Sequence, residues 1–143
     1  TTGGVVGKPI VFEDQIIFGS EDNSLYSISS RTGNLVWDFK ADGLIRCSPK
    51  IEEGHIFFGA DDGFLYAVNL ISKRITWRID GGSPIRSTPF ISNGMVYSGT
   101  ELGDFFCVDF RGEVRWGCKE NILLRAAKLN GGLKLKGRLH LLL

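Results

Sequence analysis

One short phrase occurs three times in this chain at a constant spacing. It reads GSEDNSLYSIS from Gly19, GADDGFLYAVN from Gly59 and GTELGDFFCVD from Gly99. A proline, an arginine and a tryptophan recur at nearly the same step, as Pro9, Pro49 and Pro89, Arg46, Arg86 and Arg125, and Trp37, Trp77 and Trp116. A period of about 40 residues predicts a solenoid or a propeller.

The pattern inside each repeat predicts β-strands. The segments HIFFGA, FLYAVN and RITWRI are short, rich in β-branched and aromatic residues, and separated by Gly, Asn and Asp. No window shows the helical period of an amphipathic helix. Asn23, Gly63 and Gly33 stand where hairpin turns require a positive φ. Each repeat is therefore predicted to be a meander of four antiparallel strands.

A four-stranded meander cannot bury both of its faces alone, so neighbouring repeats must stack, and radial stacking produces a β-propeller. The recurrent tryptophan fits this arrangement, because a ring that wedges against the next blade buries about 150–250 Å². We therefore predict an all-β fold with about three and a half blades in one segment, residues 1–143. The repeats are expected at about 5–44, 45–84 and 85–123, with a partial fourth at 124–143.

Over about residues 5–126 the repeats resemble the PQQ-like repeats of β-propellers, whose pattern is similar to SPxVxxGxVYxGSxDGxLYAxDxxTGxxxW. In the second repeat the matching residues are Ser48-Pro49, Gly59, Asp62-Gly63, Leu65-Tyr66-Ala67 and Trp77. The chain departs from this pattern at Ser72-Lys73, which replaces Thr-Gly, and at Leu102–Asp104. The resemblance includes propellers similar to quinoprotein dehydrogenases and to the outer-membrane assembly lipoprotein.

The resemblance implies rings of seven or eight blades, about twice what this chain provides. An open arc exposes an apolar face and a strand edge at each end, and both favour association. Three arrangements stay open: a fragment of a larger propeller, a homodimer that completes one ring, and an arc capped by a partner chain.

Charge and composition narrow the range of partners and compartments. The net charge of +1 gives no reason to expect nucleic acid as a partner, and no apolar run is long enough for membrane insertion. Cys47, Cys107 and Cys118 are interpreted as small hydrophobic residues, with a Cys107–Cys118 bridge as the alternative. The resemblance favours the cell envelope or periplasm, whereas unpaired cysteines favour the cytoplasm, so the localisation stays open.

Nothing in the sequence predicts a catalytic, cofactor-binding or metal-binding residue. For a quinoprotein dehydrogenase the resemblance implies a calcium ion, an aspartate base and an adjacent cysteine pair, and no two cysteines here are adjacent. His55 and His140 have no ligand partners at metal-binding spacing. The acidic pairs Glu21-Asp22 and Asp61-Asp62 are better explained by turn chemistry than by calcium binding. No cofactor is therefore expected.

The three recurrent arginines, Arg46, Arg86 and Arg125, are the most informative polar residues. If they line a central channel, they would bind an anion or an acidic peptide. Alternatively, each arginine pairs with an Asp or Glu of the neighbouring blade and stiffens the stack.

These observations favour a non-catalytic interaction or scaffold module that binds a protein or peptide partner on its loops or by strand addition. The alternative is a fragment of a PQQ-dependent quinoprotein dehydrogenase whose catalytic residues lie outside this chain. In either case Trp37, Trp77, Trp116, Gly19, Gly59 and Gly99 are expected to be structural residues of the repeat.

Overall fold

The computed structural model describes residues 1–117, 125–128 and 132–133. Within these residues there are fourteen β-strands and no helix, which confirms the predicted all-β fold. In particular, no helix that is long and apolar enough to cross a membrane occurs in them.

Three four-stranded antiparallel sheets follow one another along the chain, and each sheet is one blade. Blade 1 contains β1 (Ile10–Phe12), β2 (Gln15–Gly19), β3 (Ser24–Ser29) and β4 (Leu35–Lys40). Blade 2 contains β5 (Lys50–Glu52), β6 (His55–Gly59), β7 (Phe64–Asn69) and β8 (Ile75–Asp80). Blade 3 contains β9 (Phe90–Ser92), β10 (Met95–Gly99), β11 (Phe105–Asp109) and β12 (Val114–Gly117).

The last two described strands extend blade 2. Strand β13 (Arg125–Lys128) pairs antiparallel with β8, and β14 (Gly132–Leu133) pairs with β13, so the second sheet has six strands. In this register Arg125 lies opposite Asp80. Most of the partial fourth repeat predicted at 124–143 lies outside the described residues, and that repeat stays a prediction.

The turns have the backbone conformation that the sequence pattern predicts. Asn23 and Gly63 lie at φ values of +72° and +89° between the second and third strands of their blades. In blade 3 Gly103 takes the same position at +88°, so the altered sequence Leu102–Asp104 preserves the turn. Lys73 adopts a φ of +60° at the position that Gly33 holds in the first repeat. Its backbone is therefore strained, because a residue with a side chain disfavours positive φ.

Each blade has a forward face, toward the next blade, and a rear face, toward the preceding blade. Side chains alternate between these faces, because successive residues of a strand point to opposite sides of a sheet. Two buried clusters result, one between each pair of neighbouring blades. The first contains Ile17 and Leu25 of blade 1 with Phe58, Tyr66 and Val68 of blade 2. The second contains Leu65, Trp77 and Ile79 of blade 2 with Val96, Phe106 and Val108 of blade 3.

The recurrent glycines are required by close packing between blades. A Cβ on Gly19 would lie 2.2 Å from Cγ2 of Ile45, and a Cβ on Gly59 would lie 2.1 Å from Cγ2 of Ile85. Each isoleucine comes from the loop that leads to the next blade, and its N–H donates a hydrogen bond back to the preceding blade. We call each isoleucine a knob and each glycine surface a recess. Any side chain at the glycine would exclude the knob.

The three tryptophans hold the same strand position but have different surroundings. Each pairs with the residue before a β-bulge in the third strand of its blade. Trp77 is buried, and its Nε1 donates a hydrogen bond to the backbone oxygen of Phe110 in blade 3 at 2.9 Å. Trp37 is half-buried, with Nζ of Lys73 at 4.5 Å from its ring centroid. Trp116 lies on the forward face of blade 3, half-exposed.

We expect Gly112→Ala to destabilise the protein more than Gly33→Ala. Both glycines have positive φ, which costs an alanine about 1–2 kcal/mol. A Cβ on Gly112 would also lie 2.7 Å from Cγ of Trp77, whereas a Cβ on Gly33 meets nothing within 4 Å. Overpacking should therefore add about 1–3 kcal/mol at Gly112 alone. Urea denaturation measures both losses, and equal losses would show that Trp77 does not pack tightly against blade 3.

Candidate functional site

A row of charged side chains of alternating sign crosses all three blades. Its members are Glu21, Arg46, Asp61, Arg86 and Glu101, and we call them the charge row. The carboxylates come from the turns between the second and third strands of the blades, and the arginines come from the loops between blades. Stacking brings these groups together because both sets recur with the period of the repeat.

Each arginine of the charge row joins carboxylates of two neighbouring blades. Arg46 places Nε 2.9 Å from Oε2 of Glu21 and Nη1 3.1 Å from Oδ2 of Asp61. Arg86 places Nε 3.0 Å from Oδ1 of Asp61 and Nη1 3.7 Å from Oε2 of Glu101. The hydrogen bond to Asp61 raises the pKa of Arg86. Asp61 is the shared partner and the most enclosed member, with a side chain 16% exposed.

These contacts are ion pairs between neighbouring blades, which the sequence left open as the alternative to anion binding by the arginines. The charge row contains three carboxylates and two guanidinium groups, so its own net charge is −1 rather than positive. An acidic ligand would have to displace carboxylates that already hold Arg46 and Arg86, and binding of such a ligand stays a prediction. The backbone of Arg125 lies opposite Asp80 in β13, and its role in binding an anion or partner also stays a prediction.

A second polar contact, which the sequence reasoning missed, closes the acidic turns of blades 1 and 2. The hydroxyl of Tyr26 donates a hydrogen bond to Oδ2 of Asp22 at 2.6 Å, and Tyr66 donates in the same way to Asp62. The signal was the D-x-x-x-Y spacing, which occurs in two repeats. Each carboxylate also accepts the backbone N–H two residues further along the chain. The carboxylates are therefore used by the turns, in agreement with the predicted turn chemistry.

The environment of Asp22 stabilises its ionised form. Burial alone would raise the pKa of Asp22, but hydrogen bonds from the Tyr26 hydroxyl and the Thr2 backbone N–H lower it well below its usual range. The same hydrogen bond raises the pKa of Tyr26, because it favours the protonated phenol. The turn therefore holds a fixed negative charge at neutral pH.

The described residues do not supply the calcium site that the resemblance implies for a dehydrogenase. Calcium takes six to eight oxygen ligands, and no group of three or more His, Cys, Asp or Glu residues that could hold a metal ion occurs in residues 1–117, 125–128 and 132–133. Nδ1 of His55 donates a hydrogen bond to the backbone oxygen of Glu53, and Nε2 is hydrogen-bonded to the hydroxyl of Thr76 in β8. Both ring nitrogens are therefore used by contacts within blade 2.

The described cysteines are free, buried residues of the repeat. Cys47 Sγ accepts a hydrogen bond from the N–H of Gly59 at 3.2 Å and donates one to its oxygen at 3.3 Å. Burial raises the pKa of the Cys47 thiol to about 11, and it also raises the pKa of Cys107. Such thiols are poor nucleophiles at neutral pH. Because Cys107 is free, the alternative of a Cys107–Cys118 bridge is wrong, while Cys118 itself lies outside the described residues.

The forward face of blade 3 exposes four aromatic side chains. Phe90 is 64% exposed and Phe105 is 43% exposed. The rings of Tyr97 and Trp116 lie between them, with neighbouring ring centroids 5.9–6.1 Å apart. In blades 1 and 2 the same face is covered by the next blade. An exposed apolar face was predicted for the open end of an arc, and here it is aromatic.

The family profile described as outer membrane protein assembly factor BamB matches residues 43–134. This chain belongs to the BamB family. The match confirms the resemblance to PQQ-like propeller repeats that the sequence indicated. No curated protein sequence matches this BamB-family chain.

Solved structures share the fold of this BamB-family chain at low sequence identity. BamB from Moraxella catarrhalis is 14% identical with a TM-score of 0.71, and the match covers 94% of this chain and 50% of that protein. Quinohemoprotein alcohol dehydrogenase ADHIIG from Pseudomonas putida HK5 is 19% identical with a TM-score of 0.70, covering 80% of this chain and 20% of the enzyme. The computationally designed Ika4 protein is 17% identical with a TM-score of 0.72, covering 94% and 91%. This chain therefore spans half of one natural relative and a fifth of the other.

We expect Asp61→Asn to destabilise the protein by about 1–3 kcal/mol, because it removes the carboxylate shared by Arg46 and Arg86. The control is Asp14→Asn, which removes an exposed pair with Arg31 at 3.6 Å and should change stability by less than about 0.5 kcal/mol. Urea denaturation at low and high salt measures both. Similar values for the two variants would contradict a stabilising role for the charge row.

Acid should destabilise the wild-type protein more than Asp22→Asn. The pKa of Asp22 is lower in the folded protein, so its stabilising contribution is complete above the unfolded pKa of about 3.9. That contribution is lost as the pH falls from there toward the folded pKa, because protonation breaks the charged hydrogen bonds. Free energies of unfolding measured from pH 7 downward test this difference. If the free energies of unfolding of the two proteins fall in parallel with pH, the Tyr26–Asp22 contact is not the source of the acid sensitivity.

Proposed function

We propose that this chain is a non-catalytic β-propeller interaction and scaffold module that binds a protein or peptide partner through the forward face of blade 3. The observation that carries this proposal is the exposed aromatic set Phe90, Tyr97, Phe105 and Trp116. Contiguous exposed apolar surface with aromatic side chains is typical of protein interaction sites. Rigid rings lose little conformational entropy when they are covered, so they provide affinity at low cost.

The structural roles of the polar residues support the non-catalytic part of the proposal. Asp22 and Asp62 are bonded to tyrosines, and the arginines of the charge row are bonded to carboxylates. Cys47 is a buried thiol with a raised pKa. A catalytic base or nucleophile needs a tuned pKa and access to substrate, and none of these groups combines both.

Membership of the BamB family supports the protein-binding part of the proposal. The family description names an outer membrane protein assembly factor, and assembling proteins is a role that requires contact with them. We further propose that Trp116 acts as a docking residue. Trp77, at the same strand position, is covered by blade 3 and donates a hydrogen bond to it, and Trp116 would meet a partner in the same way.

The alternative is that the chain is a fragment of a PQQ-dependent dehydrogenase whose catalytic residues lie elsewhere. The likeness to quinohemoprotein alcohol dehydrogenase is the observation in its favour. Calorimetric titration of the chain with pyrroloquinoline quinone and calcium separates the two proposals. The interaction module should release no binding heat, whereas saturable binding at one equivalent would favour the dehydrogenase fragment.

We expect a displayed peptide library to yield binders that require the aromatic face. Selected peptides should bind the wild-type chain at least about tenfold more tightly than Phe90→Glu, since truncating or charging a central aromatic contact costs about 2 kcal/mol or more. The matched control is Ile71→Glu, because Ile71 is also apolar and exposed but lies in the turn between β7 and β8. Binders that lose no affinity with Phe90→Glu, or a selection that yields none, would contradict the proposed site.

A further inference from the structure

The contact that the tryptophan makes with the next blade differs between the two joints, where a joint is the packing of one blade on the next. At the joint of blades 2 and 3, Nε1 of Trp77 donates a hydrogen bond to the backbone oxygen of Phe110 at 2.9 Å, and Gly112 lies against the ring. Both partners belong to the turn between the third and fourth strands of blade 3. This contact contains no ionisable group, so it does not depend on the charge of a side chain.

At the joint of blades 1 and 2, a lysine takes the place of that glycine. Lys73 precedes the fourth strand of its blade by two residues, as Gly112 does, and it has a positive φ of +60°. Its Nζ lies 4.5 Å from the ring centroid of Trp37 and donates a hydrogen bond to the backbone oxygen of Leu70. Leu70 follows the third strand of blade 2 as Phe110 follows that of blade 3. The ammonium group therefore occupies the acceptor that the equivalent tryptophan uses at the other joint.

Trp37 makes its own hydrogen bond inside blade 1. Its Nε1 donates to Oε1 of Gln15 in β2 at 3.0 Å. The indole N–H that links two blades at Trp77 is thus used within one blade at Trp37. The ammonium group of Lys73 on the ring is a cation–π contact between blades 1 and 2, and this contact requires the positive charge.

The amine of Lys73 lies where a small reagent can reach it. Ile71, Ser72 and Arg74 in the same turn are exposed, and Lys73 itself is half-buried. Burial lowers the pKa of Lys73, because partial loss of hydration disfavours the charged form. A larger fraction of the amine is then neutral, and the neutral amine is the form that attacks an activated acyl group.

We propose that Lys73 is an acylation site whose modification weakens the joint between blades 1 and 2. The donor that we assign is an acyl phosphate, which is small and carries a good leaving group. The neutral Nζ attacks the carbonyl carbon, a C–N bond forms, and the C–O bond to phosphate breaks. Phosphate leaves with the electron pair of that bond, and the surplus proton of the amine passes to water. The product is a neutral amide, which places no charge on the ring of Trp37.

Acylation should affect one joint and leave the other unchanged. The joint of blades 1 and 2 loses the contact between the ammonium group and the ring of Trp37, and the acyl group needs space beside that ring. The joint of blades 2 and 3 has Gly112 at the equivalent position, which offers no amine. The charge of one side chain therefore controls how firmly blade 1 is held on blade 2.

Acetylation of the full chain with acetyl phosphate tests the reactivity of the amine. Peptide mapping by mass spectrometry gives the rate at each lysine, and Lys50, which is exposed, is the reference. Lys73 should react at least about threefold faster than Lys50, because a lower pKa leaves more of the amine neutral. Equal or slower acetylation of Lys73 overturns the proposal.

Two variants of Lys73 test the effect on the joint. Lys73→Gln has the neutral amide of an acylated lysine, whereas Lys73→Arg is the matched control that keeps the charge. Hydrogen exchange of each indole N–H, followed by NMR, reports local opening at each tryptophan. Exchange at Trp37 should be at least about threefold faster in Lys73→Gln than in the wild type. Exchange at Trp77 should stay unchanged, and Lys73→Arg should resemble the wild type.

Equal exchange at Trp37 in the three proteins overturns the proposal. Faster exchange at both Trp37 and Trp77 in Lys73→Gln also overturns it, because that result would show a general loss of stability. Thermal unfolding checks that both variants fold. If Lys73→Gln does not fold, the acetylated wild-type chain gives the same comparison, with Lys73→Arg treated in the same way as its control.

Discussion

The packing of one blade face on the next is the interaction on which this structure depends. A four-stranded sheet has two apolar faces, and neither can be buried inside its own blade. In this chain the faces are joined by a contact that recurs, in which a glycine of one blade packs against an isoleucine from the loop that follows. The fit is close enough that the glycine and the isoleucine constrain each other, and a methyl group added to either glycine would separate the blades. The strand positions, the loop path and the constant repeat spacing all follow from that contact.

The charged groups between the blades also recur with the repeat. Because consecutive blades repeat the same turn and the same loop, the carboxylate of one turn lies beside the guanidinium of the next loop. Partly exposed ion pairs contribute little individually, but a shared carboxylate such as Asp61 links two blades at once. Arg46 and Arg86 therefore find partners within the chain, whereas the forward face of blade 3 leaves aromatic side chains exposed.

Much of this fold could be predicted from the sequence, because the repeat spacing and the turn residues are local signals. Asn23 and Gly63 indicated the hairpin turns, which the structure contains. The recurrent arginines indicated two alternatives, of which the structure contains the ion pairs for Arg46 and Arg86, while anion binding stays a prediction. The unequal burial of the tryptophans could not be predicted, because it depends on whether Lys73 or Gly112 faces the ring from the neighbouring blade. From the sequence, the forward face of blade 3 could be predicted only as an exposed apolar end. Its aromatic side chains could not be recognised as an open surface, because the same face of blades 1 and 2 is covered by the next blade.

The pairing of β13 with β8 changes how the stack can come apart. Every strand pair inside a blade joins neighbours along the chain, but this pair joins Arg125 to Asp80 and encloses all of blade 3. In a linear array the terminal unit normally frays first, since it has one neighbour and a free end. Blade 3 lies in the sequence between the two paired strands β8 and β13, so pairing within blade 2 connects both sides of it to that blade. Its detachment requires the release of the β13 strand as well as of its own face, so the end of the array should open together with its centre.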